Sequence, residues 1–199
     1  MRLILLRHGE STWNAERRMQ GTADPPLSEA GRAQARALAP LIAPLHPDAV
    51  VTSDLRRARE TAGELGLAGA TLDARWREAS LGRWSGRLVD EVVAAEAAAH
   101  AGWLEGSESP PGGEAFPDTC ARIAETVREL AASGARRALV VTHGGPIRAA
   151  CATIASLPRV GLVAVPTASL TEIAVVDGAV GHVVAFGVSP RGPAPPAPP

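Results

Sequence analysis

Two short clusters of reactive groups recur at distant points of the chain, Arg7-His8-Gly9-Glu10 and Thr142-His143-Gly144-Gly145-Pro146. A neutral imidazole whose far nitrogen donates to a backbone carbonyl keeps its near nitrogen free to attack phosphorus. Arg7, an arginine from the stretch 54–62 and the backbone amides before Pro146 would together make an oxyanion cradle. Phosphate suits such a cradle, because guanidinium forks match its oxygens and a helix N-terminus favours negative charge. The product of attack would be a phosphohistidine. A carboxyl group must then protonate the leaving oxygen and afterwards activate water. Residue chemistry alone does not choose between Glu78 and Glu10 for that carboxyl, or between Arg57 and Arg56 for the second guanidinium. A histidine after a strand is more often hydrogen-bonded structure than catalyst, so it is the second His-Gly that gives the first its weight.

Both clusters follow aliphatic runs, Leu3-Ile4-Leu5-Leu6 and Ala138-Leu139-Val140-Val141. Such runs are the pattern of strands covered on both faces in a parallel sheet, whose ligands bind beyond the carboxyl ends of the strands. Two such strands as neighbours would bring the imidazoles to one crevice. Ser11 to Met19 reads as loop or short helix, and the segment from Gln20 to Pro26 as loop. Ser28 can cap a helix with Leu38, Leu41, Ile42 and Leu45 on its inner face, kinked at Pro40 and ended at Pro44. Ala49 to Thr52 is a further strand, and a helix follows over 54–62 with Ser53 or Asp54 as cap. Arg56 and Arg59 read as its solvated face.

The stretch 72–86 fits neither helix nor strand well. Leu88 to Ala101 reads as helix, Gly102 to Gly113 as a loop containing Trp103, and Asp118 can cap the next helix, whose face is Ile123, Val127 and Leu130 and whose stop is Gly134. Pro146 suits the first position of a helix continuing through Ile154. Leu170 to Val176 and Val180 to Ala185 read as a terminal hairpin around Asp177-Gly178, and the Pro-rich tail 189–199 as extended and mobile. Together these predict one α/β domain over 1–188, a three-layer α/β/α arrangement around a mostly parallel central sheet, with an insertion or lid at about 87–116.

A chain of 199 residues with net charge −1 offers no electrostatic footprint for nucleic acid or an anionic membrane. All 20 basic residues are arginine, which excludes lysine nucleophiles and Schiff-base chemistry. The apolar runs are too short for a signal peptide or a membrane span, which gives the expectation of a soluble, cytoplasmic protein. Cys120 and Cys151 lack ligand spacing and read as buried free thiols.

The motifs resemble one family. Arg7-His8-Gly9-Glu10 with Trp13-Asn14, Ser53-x-Leu55-x-Arg57-Ala58-x-x-Thr61-Ala62, Arg77-Glu78 with Leu81-Gly82 and Gly86, Pro111-Gly112-Gly113-Glu114, and Val141-Thr142-His143-Gly144-Gly145 are similar, in that order, to the histidine phosphatase superfamily, also called phosphoglycerate mutase-like. The resemblance runs to about Ala185. It implies His8 as nucleophile, Glu78 as proton donor, and Arg7, Arg57 and His143 as the phosphate pocket, with Asn14, Gln20, Gly21 and Gly144 lining it. It further implies a phosphomonoesterase acting on a small phosphorylated metabolite with inorganic phosphate as product, no metal and no cofactor, and it leaves a homodimer open. Mutase activity is not favoured, since the segment around Glu78 departs from the mutase pattern and the chain has no tyrosine.

Two other readings compete. A metal hydrolase would use His8, His143, Glu78 and Glu10 as ligands, but the histidines lack short ligand spacing and Arg7 would repel the cation. A phosphoryl-binding module without turnover is the other, because fold alone does not guarantee chemistry. His46, His100 and His182 read as surface or structural residues, the tryptophans as packing, and Trp103 as the one best placed to touch a leaving group. Between Arg87 and Glu114, six acids (Asp90, Glu91, Glu96, Glu105, Glu108 and Glu114) face one arginine. That balance predicts weak selectivity for neutral, apolar or cationic leaving groups.

Overall fold

The strand β1 (Arg2–Arg7) sends Leu3 and Leu5 to one face of the sheet and Ile4 and Leu6 to the other. All four are buried, so both faces must be covered. The computed structural model describes residues 1–158, 164–178 and 180–190, and it places β1 inside a six-stranded sheet. The other strands are β2 (Ala49–Thr52), β3 (Thr71–Leu72), β4 (Arg137–Thr142), β5 (Ser169–Val175) and β6 (Gly181–Val188), in the order β3-β2-β4-β1-β5-β6. The first four strands of that order pair in parallel, whereas β5 is antiparallel to both β1 and β6.

The helices are α1 (Thr12–Ala15), α2 (Glu29–Ala37), α3 (Ala39–Ile42), α4 (Arg56–Glu64), α5 (Val89–Glu105), α6 (Phe116–Ala132) and α7 (Gly144–Ile154). Ile123 and Val127 of α6 and Ile147, Cys151 and Ile154 of α7 pack on the Leu3, Leu5 and Val140 face. Leu38, Ile42 of α3 and Ala58 and Ala62 of α4 cover the Ile4, Leu6, Leu139 and Val141 face. The result is the expected mixed but mostly parallel α/β arrangement, with helices on both sides of the sheet. Cys120 is half-buried and Cys151 is buried. Among the described residues no helix is long and apolar enough to cross a membrane.

Several local expectations need correction. α4 begins at Arg56 with Leu55 as its cap residue and no side-chain cap, because Asp54 is held by Arg77 and Ser53 by a histidine of the site. Asp118 lies in the first turn of α6, after Ala115 at the cap. Pro146 is the third residue of α7, which starts at Gly144. α5 does not stop at Ala101. It runs, across a kink at the non-helical Glu96, to Glu105 and ends at Gly106, whose φ of 87° only glycine adopts freely, so Trp103 is helical. Gly102 is inside that helix because a β-carbon there would come within 2.5 Å of Glu108 Cγ. Leu38 is the cap shared by α2 and α3, and Pro40 is the second residue of α3, so the expected kink falls at Leu38 between two short helices. Residues 191–199, most of the Pro-rich tail, lie outside the described residues.

Candidate active site

The register that sets Arg7 beside Thr142 places His8 and His143 side by side just past the ends of β1 and β4. Their ring centroids are 5.0 Å apart. His8 Nδ1 lies 2.6 Å from the carbonyl oxygen of Gly9. A carbonyl only accepts, so the proton is on Nδ1 and the lone pair is on Nε2. Arg57 Nε donates to that Nε2 at 3.3 Å. Burial, then the Arg57 and Arg7 guanidiniums, hold the His8 imidazole well below the usual histidine range, which keeps it neutral at pH 7. Burial and Arg57 do the same to His143. Its Nε2 is 2.9 Å from Ser53 Oγ, and its Nδ1 is buried without a partner.

The guanidinium of Arg57 is fixed rather than free. Its Nη1 and Nη2 donate to the carbonyls of Ala23 and Gly21 at 2.6 and 2.8 Å. Burial pushes it down to about 10, still cationic at neutral pH. Thr61, one turn along α4, donates its hydroxyl to the Arg57 carbonyl at 2.7 Å and accepts the Gly9 amide at 3.0 Å. This pair ties the loop after His8 to the helix that supplies Arg57. Arg7 donates to the Val165 carbonyl and keeps a buried Nε without a partner. Unpaired buried donors are costly, so Arg7 Nε and His143 Nδ1 mark where an oxyanion would satisfy the site.

Glu78 approaches the N-terminus of α7, where its carboxylate oxygens accept the Gly145 amide at 3.1 and 3.2 Å. A β-carbon at Gly145 would stand 2.1 Å from Glu78 Oε1, so a larger residue there would displace the carboxyl from its present position. The loop carrying Glu78 is held by Glu114, whose amide donates to the Ser80 carbonyl at 2.8 Å and whose carboxylate accepts from Arg122 Nε at 3.0 Å and from Nη2 at 2.8 and 3.0 Å. Arg122 in turn donates to the carbonyls of Arg75 and Arg77. Glu10, the competing carboxyl, accepts from Ser28 Oγ at 2.7 Å. Arg56, the competing guanidinium, is exposed and bound to Glu60 at 2.7 Å.

A cavity of about 410 Å³ opens over these groups, lined by Arg7, His8, Asn14, Gln20, Gly21, Arg57, Glu78 and Gly144 among others. His143 is buried beneath it against His8. Asn14 and Gln20 are joined through Ser11, whose hydroxyl meets Asn14 Oδ1 at 3.0 Å and Gln20 Oε1 at 2.8 Å. The wall above is apolar, with Met19, Val89, Trp103, Leu104 and Phe116. His100, read from sequence as surface or plain structure, also lines it and packs against Trp84 and Trp103. Sequence reasoning missed Ser53 as the partner of His143, and also missed Arg18 and Arg148 in the cavity wall. The spacing of Ser53 and Thr61 about Arg57 was the available signal.

The electrostatic expectation for the insertion is not met. Of its six acids only Glu114 lines the cavity, and that one is paired with Arg122. Asp90 meets Arg17, Glu96 meets Arg87 and Trp84, and Glu91 accepts the Leu88 amide at the start of α5. Among the described residues no three His, Cys, Asp or Glu side chains are grouped as metal ligands.

A family model for the histidine phosphatase superfamily, branch 1, matches residues 3–187. The chain belongs to the histidine phosphatase superfamily. It is 41% identical over 169 residues to glucosyl-3-phosphoglycerate phosphatase of Mycolicibacterium vanbaalenii, a match covering 79% of this chain and 75% of that protein. It is 34% identical over 164 residues to a probable phosphoglycerate mutase of Enterobacter sp., covering 79% and 76%. Among solved structures, a mycobacterial glucosyl-3-phosphoglycerate phosphatase in complex with VO3 superposes with a TM-score of 0.87 at 36% identity, covering 94% of this chain and 99% of that one. The complex of that enzyme with inorganic phosphate gives 0.85 at 35% identity, covering 96% and 98%. The family together with the phosphatase relatives gives the reaction class, hydrolysis of a phosphomonoester on a small phosphorylated substrate with release of phosphate.

Proposed function

We propose that the chain hydrolyses phosphomonoesters in two steps through a phosphohistidine on His8, without a metal or an organic cofactor. The observation that carries this reading is the orientation of His8, with Nδ1 tied to the Gly9 carbonyl and the Nε2 lone pair turned toward Arg57. In the first step Nε2 attacks phosphorus, the bond from phosphorus to the ester oxygen breaks, and the Glu78 carboxyl gives its proton to the departing alcohol. In the second step water attacks phosphorus, loses a proton to Glu78, and displaces Nε2 to release inorganic phosphate. Arg7, Arg57, His143 and the free amide of Gly144 hold the phosphoryl oxygens, and Asn14, Gln20 and Gly21 complete the pocket around them.

The two guanidiniums flanking His8 favour an anion and disfavour a metal ion at that position. The segment 87–116, with α5 and the loop after it, serves as the lid of a single domain spanning 1–188, since Trp103 and Leu104 overhang the cavity. The match to glucosyl-3-phosphoglycerate phosphatases supports a phosphorylated sugar or sugar-acid substrate for this chain as well. All the chemistry comes from one chain, so a homodimer would not be needed for it.

The test is phosphate release from p-nitrophenyl phosphate and from 3-phosphoglycerate in excess chelator. Undiminished release is expected. Loss of activity restored by zinc would establish a metal requirement, and isomerisation of 3-phosphoglycerate without release would favour a mutase.

A further inference from the structure

Arg148, like Arg18, is a cation of the cavity wall that the two-step mechanism does not use. It projects from α7 one turn beyond Gly145, the residue whose amide holds Glu78, and it lines the same cavity as His8. One terminal nitrogen donates to the Leu104 carbonyl at 3.1 Å, in the last turn of α5. Its Nε is buried without a hydrogen-bond partner, and among the described residues it forms no ion pair. Arg7 faces the phosphoryl site, and the other two arginines of the wall are committed. Arg18 pairs with Glu16 at 3.0 Å, donates to the Gly86 carbonyl and lies over the Trp13 ring, while Arg57 is held by two carbonyls.

We propose that Arg148 is a specificity-determining residue that binds a carboxylate on the alcohol portion of the substrate, a few bonds from the ester oxygen. The inference rests on the phosphatase reading and on Glu78 as the proton donor. The leaving oxygen must lie against Glu78, and Arg148 is three residues further along α7, a rise of roughly 4.5 Å from Gly145. A substituent on the carbon next to the ester carbon falls within that reach. A guanidinium with unused donors in a partly buried wall selects a planar carboxylate, which accepts two parallel hydrogen bonds. A neutral hydroxymethyl group in its place would leave those donors unpaired, and buried unpaired donors are what makes discrimination large. The substrate class is therefore a phosphorylated hydroxy acid, free or carrying a further group that reaches toward the apolar wall.

The experiment compares kcat/KM for 3-phosphoglycerate and glycerol 3-phosphate, which differ in a carboxylate against a hydroxymethyl group. Their ratio within one preparation does not depend on the folded fraction. The native ratio should exceed roughly tenfold, Arg148→Gln should bring it to within about threefold of one, and Arg148→Lys should fall between. A native ratio near one, or a ratio unchanged in Arg148→Gln, would overturn the proposal. Turnover of p-nitrophenyl phosphate with neither three-carbon ester would also overturn it while leaving the phosphatase reading intact. No release from any of the three by the native chain would sink that reading and this proposal together.

Discussion

In the proposed mechanism His8 and Glu78 divide the work because their surroundings differ. His8 is enclosed, neutral and locked in one tautomer by the Gly9 carbonyl, which are the properties of a nucleophile. Glu78 sits at the cavity wall against the Gly145 amide, where a leaving oxygen can reach it. If Glu78 is the proton donor, its importance must grow with the basicity of the alcohol it protonates. Glu78→Gln should therefore lower kcat/KM by about 10²-fold or more on alkyl phosphates and by clearly less on p-nitrophenyl phosphate, whose leaving group needs little help. Parallel measurement on both substrates checks this, and equal losses would remove Glu78 from that role. At this scale the sequence was legible in part. Residue types and the two His-Gly repeats pointed to phosphate chemistry, but the choice of Glu78 over Glu10 needed the family pattern. The geometry agrees with that choice, since Glu10 accepts from Ser28 and Glu78 lines the cavity.

The elements that position these residues were legible where burial dictates pattern and obscure where a single contact does. The aliphatic runs of β1 and β4 announced strands covered on both faces, and their pairing follows from the need to bury both. The start of α4 was not legible. Ser53 and Asp54 are good cap residues, yet tertiary partners take both, Ser53 for His143 and Asp54 for Arg77. The end of α5 was misread for a related reason. Gly102 looks like a helix stop, but a lone glycine costs a helix only about 1 kcal/mol, and here it makes room for the Glu108 side chain. That error had a functional consequence, because it put Trp103 and Leu104 in a loop when they occupy the last helical turn above the cavity. The acidic count over the insertion failed similarly, since composition does not say which way a charge faces.

For the whole molecule, the site is a stability cost that depends on pH. His8 and His143 are both held well below 6.5 by burial and by Arg57, and burial lowers His100 in the same direction. The unfolded chain takes up these protons near pH 6.5, whereas the native state takes them up only at lower pH. Between those limits the unfolded state binds more protons, so stability rises with pH and falls on acidification. With two such groups the slope should approach about 3 kcal/mol per pH unit below pH 6. The paired carboxylates, such as Asp54 and Glu60, add the same sign only below about pH 4.5. Urea unfolding at pH 7.5, 6.5 and 5.5 measures this, and replacing both histidines by glutamine should flatten the curve between pH 6.5 and 5.5. A slope unchanged in that double variant would mean that the site histidines are not the source.

The central claim is that the phosphoryl group rests on His8 between the two steps. The direct measurement is an acid-free quench of the protein in its first turnovers with a radiolabelled phosphomonoester, followed by peptide mapping. The account predicts a label that is stable to base and labile to acid, located on the peptide containing His8, and absent along with turnover in His8→Ala. A His8→Ala protein that retains turnover, or a label found on any other residue, would contradict it.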